Sequence, residues 1–228
     1  MKNYINNKYK QFVELLDFGR GKYRITDVFK DFVVMFAIAI KNKCHYEQVD
    51  EDVYLQIVNK YEKEEIKNFP KMVAELINLY YNEENCSDVL GEIYEQIGAS
   101  SKTNNQFFTP VNISTMMAKI VFNIEEIKRK DFETINDPTC GSGVMFLAAA
   151  NCLNDNDIDY TKKIFVVGQD IDFVCACMTY IQISLYGLPG YVIWGDTIAM
   201  KTNRIFYTPQ FFVGNWYKKI EERNKKSA

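Results

Sequence analysis

Residues 132–153 read FETINDPTCGSGVMFLAAANCL. Phe132 to Asn136 is a short β-type run, and Val144 to Leu153 is an alanine-rich helix former. Between them, Asn136-Asp137-Pro138-Thr139-Cys140-Gly141-Ser142-Gly143 is a glycine turn. In an α/β sheet this strand-to-helix junction is where a ligand sits. Glycines there let backbone N–H groups come close to a ligand beside a helix N-terminus. A plain strand–helix connection is equally compatible with the turn taken alone. The turn is not GxGxxG and no Gly-Lys-Ser/Thr comes after it, which disfavours a nucleoside triphosphate.

Downstream the same grammar repeats. Lys163 to Gly168 (KIFVVG) reads as a strand, and Asp172 is placed to cap a helix from Phe173 to Tyr186. Gly187-Leu188-Pro189-Gly190 reads as a turn, and Tyr191 to Trp194 (YVIW) as a third strand. The β-α-β-α-β order predicts a doubly wound parallel sheet. A last strand-like run, Gln210 to Val213, and a basic helix, Trp216 to Lys225, complete the chain. Upstream the chain reads as helical. Helices are expected over Pro110 to Phe122, Asp88 to Ile97 with Ser87 as N-cap and Gly98 as stop, Lys71 to Tyr81, and Asp52 to Glu65. Ala99 to Asn105 reads as a loop. The sequence therefore divides into a helical region, 1–104, and an α/β domain, 105–228.

The chain has 228 residues, 47% of them hydrophobic and 25% charged, which is ordinary globular usage. Its longest apolar run, Phe32 to Ile40, is about half the ~20 residues of a spanning helix and reads as a buried helix or strand. No secretory h-region is visible at the start, so no membrane is expected and a cytoplasmic setting is. The six cysteines (44, 86, 140, 152, 175, 177) form no CxxC pair, and His45 is the single histidine. A four-ligand zinc site and His-dependent hydrolysis are both disfavoured, and reduced, buried thiols are expected. The net charge of −3 is uneven. Residues 1–30 carry seven Lys/Arg against three acids, residues 213–228 five against two, leaving −10 in between. Such an acidic body is a poor self-sufficient DNA binder.

Three more motifs accompany the glycine turn. Gly168-Gln169-Asp170-Ile171-Asp172 ends the second strand, where a carboxylate can accept from ribose hydroxyls; alternatively these acids only cap the next helix. Trp194-Gly195-Asp196-Thr197 ends the third, where a carboxylate can meet a base amine. Asn105-Gln106-Phe107-Phe108-Thr109-Pro110 leads into a helix, and its aromatic pair alone reads as core.

In combination, QFFTP, DPTCGSG, GQDID and GDT resemble the N6-adenine DNA methyltransferases, most of all the methylation subunit of type I restriction–modification systems. Leu90 to Ile97 fits the helix ahead of the first motif, and the resemblance covers roughly residues 88–198. It implies a Rossmann-like methyltransferase fold with a partial parallel sheet and S-adenosylmethionine (SAM) as cofactor. Gln106, Phe107, Thr109 and Pro110, with Phe108 beside them, would line the methionine and sulfonium end. Asp137, Pro138 and the turn Cys140, Gly141, Ser142 and Gly143 would hold the amino-acid moiety. Asp170 would take the ribose, Ile171 the adenine ring, and Asp196 with Thr197 the adenine amine. The implied partners are DNA and a specificity subunit or a second copy.

The resemblance also implies an Asn/Asp-Pro-Pro-Tyr/Phe element that grips the flipped adenine. No Pro-Pro occurs in the chain. The nearest positional match is Asn215-Trp216-Tyr217, read either as a degenerate catalytic element or as a helix cap with an apolar anchor, the second preferred. Three functions are therefore expected as alternatives: methyl transfer to adenine in DNA, SAM binding without catalysis in an accessory protein acting through a partner, or methyl transfer to another substrate such as a protein or small molecule.

Overall fold

The computed structural model describes residues 7–98 and 108–227. The helical region holds α1 (Lys10–Leu16), α2 (Ile25–Cys44), α3 (Gln48–Val58), α4 (Lys63–Ile66), α5 (Asn68–Tyr81) and α6 (Val89–Gln96). The apolar run Phe32 to Ile40 lies inside the long helix α2, which buries Phe29, Phe32, Val33 and Ile38. Two expectations are corrected here. The helix expected over Asp52 to Glu65 breaks after Val58, because Tyr61 turns into the core and Glu62 opens a capping box with Glu65. The cap of α6 is Asp88 rather than Ser87: the Asp88 carboxylate accepts from Gly91 N–H, while the Ser87 hydroxyl is spent on Glu83.

Helices α7 (Val111–Val121) and α8 (Ile124–Arg129) lead into β1 (Glu133–Asp137). Then come α9 (Val144–Asn154), α10 (Tyr160–Lys163), β2 (Ile164–Asp170), α11 (Phe173–Leu185) and β3 (Gly190–Asp196). The chain ends with β4 (Lys201–Tyr207), α12 (Pro209–Val213) and α13 (Trp216–Ser227). The sheet order is β1-β2-β3-β4. Both β1–β2 and β2–β3 are parallel, as the β-α-β-α-β reading requires, with Glu133 beside Ile164 and Val166 beside Gly190.

The fourth strand is antiparallel, and it is not the one expected. Lys201–Tyr207 pairs back on β3, with Asp196 beside Lys201 and Tyr191 beside Tyr207. The expected strand Gln210 to Val213 is helical instead: Thr208 caps it, accepting from Phe211 N–H, and Pro209 stands at its first turn with a φ preset for helix.

Alternation in β2 gives the sheet two buried faces. Ile164 and Val166 join the main core with Val192 and Phe206, whereas Phe165 faces Trp216 and Phe132 in a second cluster under α13. The main core runs without interruption from Tyr9 in the helical region to Phe206 in β4. The two regions set apart by the sequence thus share one apolar interior. No helix among the described residues is long and apolar enough to cross a membrane.

Candidate functional site

Parallel strands that begin together also end together. Asp137, Asp170 and Asp196 close β1, β2 and β3, and the register (Asp137 beside Gly168, Asp170 beside Trp194) brings all three to one sheet edge. The glycine turn rises from that edge. Gly141 and Gly143 both have left-handed backbone, φ +57° and +96°, which side-chain-bearing residues rarely adopt. A Cβ on Gly143 would also stand 3.1 Å from Thr179.

The turn is held from every side. Cys140 N–H donates to the Gln169 carbonyl at 2.9 Å, and Gly141 N–H donates to Asp170 Oδ2 at 2.9 Å. Thr179 Oγ1 donates to the Gly141 carbonyl at 2.8 Å, and Thr197 Oγ1 to the Pro138 carbonyl at 2.7 Å. The last of these links the end of β3 to the turn after β1. Phe108 lies over Gly141, whose missing Cβ leaves room for its ring. The Cys140 side chain points into the sheet against Gly168, so this residue offers the edge its backbone alone.

Each carboxylate already has local work. Asp137 Oδ1 accepts from Thr139 N–H at 3.1 Å, and Asp170 Oδ1 accepts from Asp172 N–H at 2.8 Å. Asp196 Oδ1 accepts from Ile198 and Ala199 N–H, both at 2.9 Å. A carboxylate has about four acceptor positions, so these bonds orient the groups without exhausting them. Asp172 caps α11, accepting from Val174 and Cys175 N–H. Burial holds Asp137 and Asp170 above their ordinary carboxylate values, offset only in part by backbone N–H bonds, and the neighbouring carboxylates of Asp172 and then Asp137 raise Asp170 further. Beside them Ile171 is an apolar side chain 68% exposed at the end of β2.

Sequence reasoning missed the support beneath the turn. Ser142 Oγ donates to Asp88 Oδ2 at 2.6 Å, and Gln182 Nε2 donates both to Asp88 Oδ1 and to the Ser142 carbonyl at 2.7 Å. Tyr80 donates to Gln182 Oε1 at 2.7 Å. Asp88, Ser142 and Gln182 are all buried, so this network ties α5 and α6 to the turn in a water-free setting. The Asp-x-x-Gly spacing of Asp88 and Gly91 is its one signal in the sequence, and the neighbouring Ser87, an equally good cap by residue type, masks it.

Asn215, Trp216 and Tyr217 are not brought to the carboxylate edge. The β3–β4 hairpin reverses the chain, so the segment after β4 emerges beside Tyr191 and Gly190, at the opposite ends of the parallel strands. Trp216 is fully buried there, its ring 5.0 Å from Phe132 and 5.4 Å from Phe165. The Asn215 carbonyl accepts from Lys218 and Lys219 N–H at the start of α13. Of the first motif, Thr109 and Pro110 lie just before α7, while Gln106, Phe107 and the expected loop 99–105 fall outside the described residues.

Fold and edge together define an α/β protein of the doubly wound type, with its glycine turn and three carboxylates at the carboxyl ends of the parallel strands, where such folds place ligands. Residues 85–225 match the N-6 DNA Methylase family, and the chain belongs to that family. It is 29% identical over 124 residues to the type I restriction enzyme MjaVIII methylase subunit of Methanocaldococcus jannaschii, covering 51% of this chain and 20% of that one. Against the MjaIX methylase subunit of the same organism it is 26% identical, covering 59% and 25%. The chain thus spans a fifth to a quarter of the length of these curated relatives. Among solved structures it is similar to the type I restriction-modification system methyltransferase subunit from Streptococcus thermophilus, with 14% identity, a TM-score of 0.42, and coverage of 81% of this chain and 56% of that one.

Proposed function

We propose that the carboxylate edge binds S-adenosylmethionine and that the chain serves as the cofactor-holding part of an adenine-N6 DNA methyltransferase. The observation that carries this reading is the convergence of Asp137, Asp170 and Asp196 with the rigid turn at Gly141–Gly143. The residues present fit such a cofactor. Its ammonium and sulfonium charges suit half-buried carboxylates that form no ion pair among the described residues, and would offset the burial and the neighbouring acids that hold Asp170 up. Exposed Ile171 offers an apolar surface to a purine ring. Asp170 would take the ribose hydroxyls on acceptor positions left by Gly141 and Asp172 N–H, and Asp137 and the turn would hold the amino-acid end. When bound, the cofactor supplies an electrophilic methyl group. The protein's share of the reaction is orientation and charge placement.

Calorimetric titration with SAM and with its demethylated product tests this. Saturable binding is expected, weakened at least about tenfold by Asp170→Asn, since each lost charge-assisted hydrogen bond is worth ~1.5–3 kcal/mol. No heat and no thermal shift at millimolar ligand would overturn it.

One observation favours a second reading. Asn215–Tyr217 sit at the wrong end of the sheet for transfer, and no Asn-Pro-Pro element occurs in the sequence. On this reading the chain binds the cofactor without transferring the methyl, as an accessory acting through assembly. Tritiated SAM with unmethylated DNA, for the chain alone and with candidate partner chains, separates the two: incorporation in either arm supports the first, binding of the cofactor without incorporation in both arms the second.

A further inference from the structure

The chain has two tryptophans. Trp216 is fully buried at the far ends of the strands, whereas Trp194 is half-buried on β3, directly beside Asp170 in the register. Three elements close on Trp194. Its ring stands 4.6 Å from that of Phe173 at the start of α11. Arg204, its direct partner on β4, lies over both rings, 5.6 Å from Phe173 and 5.8 Å from Trp194. Trp194 Nε1 donates to the Ile171 carbonyl at 3.1 Å. The ladder slips just beyond this point: Trp194 pairs with Arg204 but Gly195 with Thr202, leaving Asn203 over. Such a bulge bends a strand and re-aims its side chains.

Arg204 is not placed to recognise an anion. Its charge is taken by Asp50 of α3, whose Oδ1 lies at 2.7 Å and which is fully buried and also holds Lys41. A paired guanidinium does not repel a cationic ligand, and its flat face stacks on aromatic rings as an ammonium cannot. Its work at this place is to hold the two rings. The segment 170–172 is then pinned on either side of Ile171. Asp170 accepts from Gly141 and Asp172 N–H, Asp172 caps α11, and Trp194 holds the carbonyl between them. The Ile171 side chain is left 68% exposed on a fixed backbone.

We infer that Trp194 is a positioning residue for the base-binding end of the carboxylate edge, and that Arg204, anchored on Asp50, locks its ring in place. The inference rests on the reading of that edge as a SAM site. It makes the helical region, through α3, part of what shapes the nucleoside end.

Two ligands separate the ends of the site: the demethylated product of SAM, which has both, and methylthioadenosine, which lacks the amino-acid end. Trp194→Phe keeps an aromatic ring and removes the donor. Calorimetry should show it weakening both ligands by the same factor, about three- to tenfold, as for one lost hydrogen bond. Asp137→Asn should weaken the first ligand and spare the second. Arg204→Lys keeps Asp50 paired but removes the plane over the rings, and it too should weaken both. Tryptophan emission gives a second readout. Either ligand should change the parent's emission saturably and leave that of Trp194→Phe, which retains Trp216 alone, unchanged. A merely structural role would lower the melting temperature of Trp194→Phe and leave both affinities at the parent's values, which overturns the inference. A loss confined to the demethylated product overturns it as well, as does Arg204→Lys binding both ligands like the parent. A parent that binds neither ligand removes the SAM reading and this inference with it, whereas a parent that binds both beside unaffected variants removes this inference alone.

Discussion

Asp88 shows what one buried side chain contributes here. It caps α6, receives Ser142 and Gln182, and so fixes the glycine turn from below. Burial pushes its carboxyl above the ordinary range, and the three hydrogen bonds, which favour the anion, only partly oppose this. The folded chain then holds a proton at pH values where the unfolded chain has released it. Stability from this group is complete below the unfolded pKa, about 3.9, and is lost as pH rises through the folded value. Asp88→Asn does not titrate and keeps an acceptor for Gly91 and Gln182. Urea unfolding from about pH 3.5 to pH 7 should show the parent losing stability relative to Asp88→Asn as pH rises. A difference that stays flat, or grows in the parent's favour, contradicts the assignment. Asp88→Ala is expected to cost at least ~2 kcal/mol at any pH, since it strands buried donors.

Among the elements, β1, β2 and β3 were legible because each is a β-branched or apolar run bounded by turn residues and continued by a helix or turn. The site was legible for the same reason, since the carboxylates and glycines stand where those runs end. Strand β4 was not legible. Its first three residues, Lys201, Thr202 and Asn203, are exposed, and Phe206 alone is fully buried, so no alternating pattern announces it. Part of what holds it is a charge cluster formed between elements distant in sequence. Lys41 on α2 is buried and pairs with Asp50 and Glu47, and Arg204 on β4 reaches Asp50 Oδ1 at 2.7 Å. Arg204 also lies over the rings of Phe173 and Trp194. Lys41→Met should cost ~3–5 kcal/mol, because it leaves Asp50 buried with half its compensation. Unfolding in guanidinium and in urea should agree on the loss, since salt screens a buried cluster weakly. A cost under ~1 kcal/mol would mean that β4 is held by its ladder alone.

At the scale of the molecule, charge bears on the proposed DNA substrate. The residues between 31 and 212 carry −10 overall, and the proposed cofactor edge is itself built of carboxylates. Basic character is confined to the two ends, and α13, the second of them, packs at the strand ends opposite the carboxylates. On the proposed reading a methyl acceptor comes to the carboxylate edge, where the phosphates of a duplex are repelled. Binding of unmethylated duplex by the chain alone should therefore be weak at ~0.15 M salt, at the ~10⁻⁴ M end of non-specific affinities, with a shallow salt slope reporting few phosphate contacts. Fluorescence anisotropy across a salt series measures both. Affinity near micromolar with a steep slope would show that the basic ends suffice, and that no second polypeptide is needed to carry DNA to this face. Under the weak-binding outcome, adding a basic partner should raise affinity and slope together. Any methyl incorporation should then appear only with that partner present.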